Sequence, residues 1–93
     1  MIKSKIQQRV YQILVHSCIY YNYDMNIVSD YQYDKWGEEL KELIRDYPEL
    51  LQGVKYGKYF KGYEDASSGF NLPYNDAWVR NKARQLLEMK NLL

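Results

Sequence analysis

"CIYYNYDMNIVSDYQYDKW", residues 18–36, places five of the chain's eleven tyrosines beside Asp24, Asp30 and Asp34. Its reading decides the fold. Upstream, Ile2, Ile6, Val10, Ile13, Leu14, Ser17, Tyr20 and Tyr21 recur in steps of three and four, which is one face of a helix. The turn formers of "DMN" predict that this helix ends near Tyr23. Ser29 and Asp30 then offer an N-cap, and Tyr33, Trp36, Leu40, Leu43, Ile44 and Tyr47 form the stripe of a second helix that Pro48 stops. Two helices joined by a short turn make a helical hairpin.

Beyond it, residues 51–74 hold every glycine except Gly37, together with Pro73, and keep no apolar period. Such a stretch reads as a long aromatic loop with room for a short helical turn or hairpin. "PYNDAW" reopens a helix over 75–91, capped by Asn75 or Asp76, with Trp78, Val79, Ala83, Leu86, Leu87 and Lys90 on one side. The expectation is an all-α fold: a small three-helix domain with a helical-hairpin core and a long aromatic loop before the last helix.

Ninety-three residues, 46% hydrophobic and 27% charged, suit one domain with a modest core. A net charge of +1 argues against a broad nucleic-acid grip. Cys18 is the single cysteine, which excludes an internal disulfide and fits a reducing, cytoplasmic setting. No apolar run is long enough for a signal peptide or a membrane span, so a soluble protein with no membrane partner is expected.

On the helices just described, Asp30, Tyr33 and Asp34 stand at i, i+3 and i+4 on one face, opposite the Tyr20–Tyr21 pair across a short turn. Gly37 leaves space on the same flank. Rings stack on bases and aromatic cations, carboxylates accept from ribose hydroxyls, and a helix N-terminus attracts phosphate. That set suits a nucleoside. The plainer account of the same residues is core tyrosines and capping aspartates.

Read in order, His16, Tyr20-Tyr21, Asp24, Ser29-Asp30, Tyr33-Asp34, Glu39-Leu40 and Tyr47-Pro48-Glu49-Leu50 resemble the N-terminal Ia domain of NAD-dependent DNA ligases over residues 14–50. There "SD..YD", "EL" and "HPEL" recur at these separations. The resemblance implies a small helical module that holds the nicotinamide mononucleotide (NMN) half of NAD. Tyr20 and Tyr21 would take the nicotinamide, and Asp30, Tyr33 and Asp34 would complete the pocket around ring, ribose and phosphate. Asn26 stands where the family commonly has proline, and Tyr47 replaces the histidine of "HPEL". The Lys-x-Asp-Gly motif through which ligases transfer AMP is absent, so the expectation is a free-standing module that is not an enzyme.

A second constellation, "KYGKYFKGY", interleaves Lys55, Lys58 and Lys61 with Tyr56, Tyr59, Phe60 and Tyr63. Basic and aromatic side chains together hold single-stranded nucleic acid or a protein partner. The plainer account is a solvated loop whose aromatics tuck onto the helices. His16 has no partner placed for catalysis, and two first-turn aspartates without further ligands predict no metal. Two functions therefore stand side by side: an Ia-like binder of NMN or NAD, acting alone or as accessory to a separate protein, and a small helical interaction or inhibitor protein with a tyrosine-rich surface. A phage or mobile-element origin fits the size of the second.

Overall fold

The computed structural model describes residues 1–66 and 71–93. The fold is all-α: among the described residues, helices α1 (Ile2–Tyr23), α2 (Asp30–Asp46) and α3 (Ala77–Met89), with three short 3-10 turns, Pro48–Gly53, Gly57–Phe60 and Tyr63–Asp65, between α2 and α3. Among the described residues there is no strand. Helices α2 and α3 both pack on α1, which is the shared element of one hydrophobic core.

The helix ends follow local chemistry. Asp24, in the left-handed region at φ 53°, ends α1. Ser29 begins α2, its side chain accepting from the Gln32 backbone N–H at 3.0 Å, so Ser29 and not Asp30 is the cap. Asp76 begins α3 by accepting from the Trp78 N–H at 3.1 Å.

The predicted stripe of α1 is too narrow. Val15, Cys18 and Ile19 are buried along with Ile6, Val10, Ile13, Leu14 and Ser17, because a second helix covers a second side. Tyr20 and Tyr21, at the end of that stripe, are exposed instead, and so is Ile2. Across the seam Ser17 and Tyr33 share a hydrogen bond of 2.7 Å, and Arg9 pairs with Glu39 at 2.8 Å. In α2, Leu40 and Ile44 reach the core while Tyr47 stays exposed.

Of the stretch 51–74 read as an irregular loop, residues 67–70 lie outside the described residues. The rest is more ordered than composition suggested. Leu51, Val54, Phe60 and Tyr63 are buried, which pins each 3-10 turn to the helices. Lys41 donates to the Ala66 carbonyl at 2.7 Å and Arg45 to the Glu64 carbonyl at 3.1 Å, tying the third turn to α2. The space predicted beside Gly37 is filled: a Cβ there would stand 3.2 Å from the Tyr63 hydroxyl oxygen.

Gly57 is required by close approach. A Cβ at that position would overlap the Leu51 carbonyl oxygen, which is backbone and unable to yield. At Gly53 the added atom would meet only the flexible end of Lys3. Gly57→Ala is therefore expected to destabilise the fold by about 2–3 kcal/mol, and Gly53→Ala to stay within about 0.5 kcal/mol of the parent. Urea denaturation midpoints of the two variants check this.

Candidate functional site

The hairpin turn closes a cleft of about 180 Å³ between the end of α1 and the start of α2. His16, Ser17, Ile19, Tyr20 and Tyr21 line it from α1, Met25, Asn26, Ile27 and Val28 from the turn, and Asp30 and Tyr33 from α2. Four of the five residues singled out in the sequence thus share its wall. Asp34, the fifth, is exposed in the first turn of α2 and lies outside the lining. Sites that engulf a drug-sized ligand run to roughly 300–1,000 Å³. At about 180 Å³ this cleft has room for one ring-sized group.

The walls differ in rigidity. The Tyr33 hydroxyl is tied to Ser17, so its ring is fixed in place; burial, outweighing the Ser17 hydrogen bond, pushes its pKa up. Tyr20 and Tyr21 meet edge to face at 5.0 Å, and each is at least half exposed, open to a ligand. Asp30 carries no capping duty, since Ser29 performs it, so its carboxylate remains available at the cleft. The helix N-terminus beside it adds partial positive charge.

Sequence reasoning missed two parts of this site. The turn residues Met25, Ile27 and Val28 are one, signalled only by apolar side chains within a run of turn formers. The other is Tyr74, which stacks on Tyr21 at 4.9 Å and 27°, while Asn22 donates to the Asn75 side-chain oxygen at 2.7 Å. The segment leading into α3 therefore braces the tyrosine pair from behind. No local pattern announces a contact spanning that much chain.

His16 lies against Trp36 with ring centroids 5.2 Å apart. Burial, assisted by the charge of Lys90, lowers its pKa below the ordinary value, so the imidazole is neutral at neutral pH. Cys18 is fully buried outside the lining and receives a hydrogen bond from Asn22 at 3.3 Å. Among the described residues no group of three His, Cys, Asp or Glu side chains is placed to hold a metal ion, and no helix is long and apolar enough to cross a membrane.

The basic-aromatic stretch divides. Phe60 and Tyr63 join the core. Lys55, Tyr56, Lys58 and Tyr59 gather on the surface with Tyr11, Trp78 and Lys82: Tyr56 lies 6.4 Å from Tyr59 and 6.1 Å from Trp78, and Tyr11 lies 4.6 Å from Trp78. Lys61 instead faces a groove with Lys58, Pro48, Glu49, Gln52 and Glu64. The Tyr56 hydroxyl donates to Asp76 at 2.5 Å; burial and then that carboxylate push the hydroxyl up to about 12, while the hydrogen bond holds the Asp76 carboxyl below its usual value.

The sequence model of a family described as the DNA ligase-like, N-terminal NAD+-binding domain matches residues 1–53. A DNA ligase of Brachyspira hyodysenteriae is 42% identical over 48 residues, covering 52% of this chain and 7% of that protein. A DNA ligase of Pseudothermotoga lettingae is 32% identical over 100 residues, covering 94% of this chain and 15% of that protein. The chain thus spans a small part of the length of these relatives. No solved structure matches it.

The lowered His16 pKa sets a pH dependence. Because the unfolded chain takes up a proton near pH 6.5 that the folded chain refuses, stability is present above that value and is lost as pH falls towards the folded pKa. Between about pH 7.5 and about pH 5.5 the Tm is expected to drop, and His16→Gln to flatten that drop. Thermal melts by circular dichroism at the two pH values check it.

Proposed function

This chain belongs to the family of DNA ligase-like, N-terminal NAD+-binding domains, and from that membership we propose that it holds the NMN part of NAD in the cleft between α1 and α2. It does so as a non-catalytic module, a nucleotide binder or an accessory to a separate protein. The observation that carries this reading is the gathering of Tyr20, Tyr21, Asp30 and Tyr33 around a ring-sized cleft, with Ser29 relieving Asp30 of the cap.

The chemistry of the lining suits the ligand. The nicotinamide ring of oxidised NMN is a pyridinium, flat and positively charged, and tyrosine faces attract such a ring. Tyr20 and Tyr33, which line the cleft, would take it, with Tyr21 beside them stacked on Tyr74. The Asp30 carboxylate adds attraction, and a neutral His16 adds no opposing charge. Asp34, one turn along α2 and exposed, would accept from the ribose hydroxyls at the rim rather than meet the ring.

A second reading, a small interaction protein that uses this tyrosine-rich end, is favoured by Tyr31. That side chain is 74% exposed and does not line the cleft. Tyrosines in such positions are common interface anchors.

Calorimetric titration with NMN, with AMP as control, separates the two. NMN is expected to bind selectively, and more weakly once the pH is low enough for the buried His16 to take up a proton. Tyr20→Ala, Asp30→Asn and Asp34→Ala are each expected to weaken it by about tenfold or more with helix content unchanged. No heat and no thermal stabilisation at millimolar NMN would end the nucleotide reading in favour of a protein partner.

A further inference from the structure

The surface around Trp78 is separate from the cleft and has the chemistry of a different ligand. Four rings, Tyr11, Trp78, Tyr56 and Tyr59, follow one another at centroid separations of 4.6, 6.1 and 6.4 Å. Three ammonium groups stand over them. Lys55 lies 4.8 Å from the Trp78 ring centroid and 5.6 Å from that of Tyr56, Lys82 lies 5.5 Å from Trp78, and Lys58 lies 5.1 Å from Tyr59. None of these cations has an ion-pair partner within 4 Å among the described residues. The lysines and Tyr59 are exposed.

The backbone that presents them is held rigidly. Gln7 clamps residue 55 from both sides, accepting from its N–H at 2.7 Å and donating to its carbonyl at 3.2 Å. Tyr56 sits in the left-handed region at φ 68°, a conformation costly for a bulky side chain, and its hydroxyl is tied to Asp76. A solvated loop has no need of a strained tyrosine fixed at both ends. The arrangement spends stability to keep a ring and a cation in a set position on the surface.

From this row of rings and of ammonium groups without an ion pair within 4 Å we propose that the Tyr11–Trp78–Tyr56–Tyr59 surface binds single-stranded nucleic acid, the bases stacking on the exposed Tyr59 and on the outer faces of its half-buried neighbours and the phosphates taken by Lys55, Lys58 and Lys82. Charge complementarity selects a polyanion, and the rings select one that carries flat groups at regular intervals. An ammonium about 5 Å above a ring swings aside to a phosphate while a base takes its place, so the cation–π contact is exchanged rather than lost. A net charge of +1 limits the footprint to this one patch and keeps the affinity moderate.

Fluorescence anisotropy of a labelled oligo(dT) of about a dozen nucleotides tests the proposal on the full chain. Saturable micromolar binding is expected at about 50 mM salt, with log K falling against log salt at a slope of about −2, the value for three phosphate contacts on a single strand. Tyr59→Ala is expected to weaken binding about tenfold. Lys55→Ala, Lys58→Ala and Lys82→Ala combined should nearly abolish both binding and salt slope. All four side chains are at or near the surface, and circular dichroism checks that the variants fold. The triple variant should still bind NMN as the parent does, so the two ligands stand or fall separately. No anisotropy change at about 100 µM protein would overturn the proposal. So would an unaffected Tyr59→Ala, or polyglutamate competing as well as the oligonucleotide, which would mark an acidic protein as the partner.

Discussion

The fold depends on α1 having to bury two sides at once. Its apolar residues extend around the helix from Ile6 and Val10 to Val15, Cys18 and Ile19, wider than one neighbour can cover. Helix α2 takes one side through Leu40 and Ile44, and α3 takes another through Val79, Ala83 and Leu87. The 3-10 turns between them then have little freedom, since Leu51, Val54, Phe60 and Tyr63 must fill the remaining core. Where α1 runs past this shelter, at Tyr20 and Tyr21, its side chains emerge into solvent and become the wall of the cleft.

Polar contacts decide how the emerging surface is shaped. The Ser17–Tyr33 bond crosses the hairpin seam just below the cleft and fixes one ring of its wall. Leaving either hydroxyl unpaired in that half-buried place would cost about 1–3 kcal/mol, so the bond acts as a strong constraint on register. Ser29 caps α2, which leaves Asp30 facing the cleft without structural duty. The Tyr21–Tyr74 stack and the Asn22–Asn75 bond brace the opposite wall from a distant part of the chain.

What the sequence disclosed was governed by how local the physics is. The ends of α1 and α2 and the Asp76 cap were legible because turn formers and cap side chains act within one helical turn. The hairpin pairing of Tyr20 and Tyr21 with Asp30 and Tyr33 was legible for the same reason, and the ordered motif series from His16 to Leu50 carried the family. The second buried side of α1 was not, because Val15 and Ile19 look like excess hydrophobicity until the rest of the fold is in place. Tyr74 was hidden by distance along the chain, and Gly37 was misread because the Tyr63 hydroxyl that fills its space comes from a segment with no periodic pattern. Phe60 and Tyr59, adjacent in one basic-aromatic stretch, went to core and surface respectively, a division that composition does not express.

The family match ends at residue 53, yet the core does not. A polypeptide cut there would keep the hairpin and lose the burial contributed by Phe60, Tyr63, Val79, Ala83 and Leu87, at roughly 1.5–3 kcal/mol for each large side chain. Set against a total stability of about 5–15 kcal/mol for a domain, that loss leaves little to hold two helices together in water. The bare flank of α1 would seek another surface, in a second copy or in aggregates. The stretch that carries the family's signature is thus shorter than the stretch that closes the core, and any transplant of the cleft must carry the helix behind it.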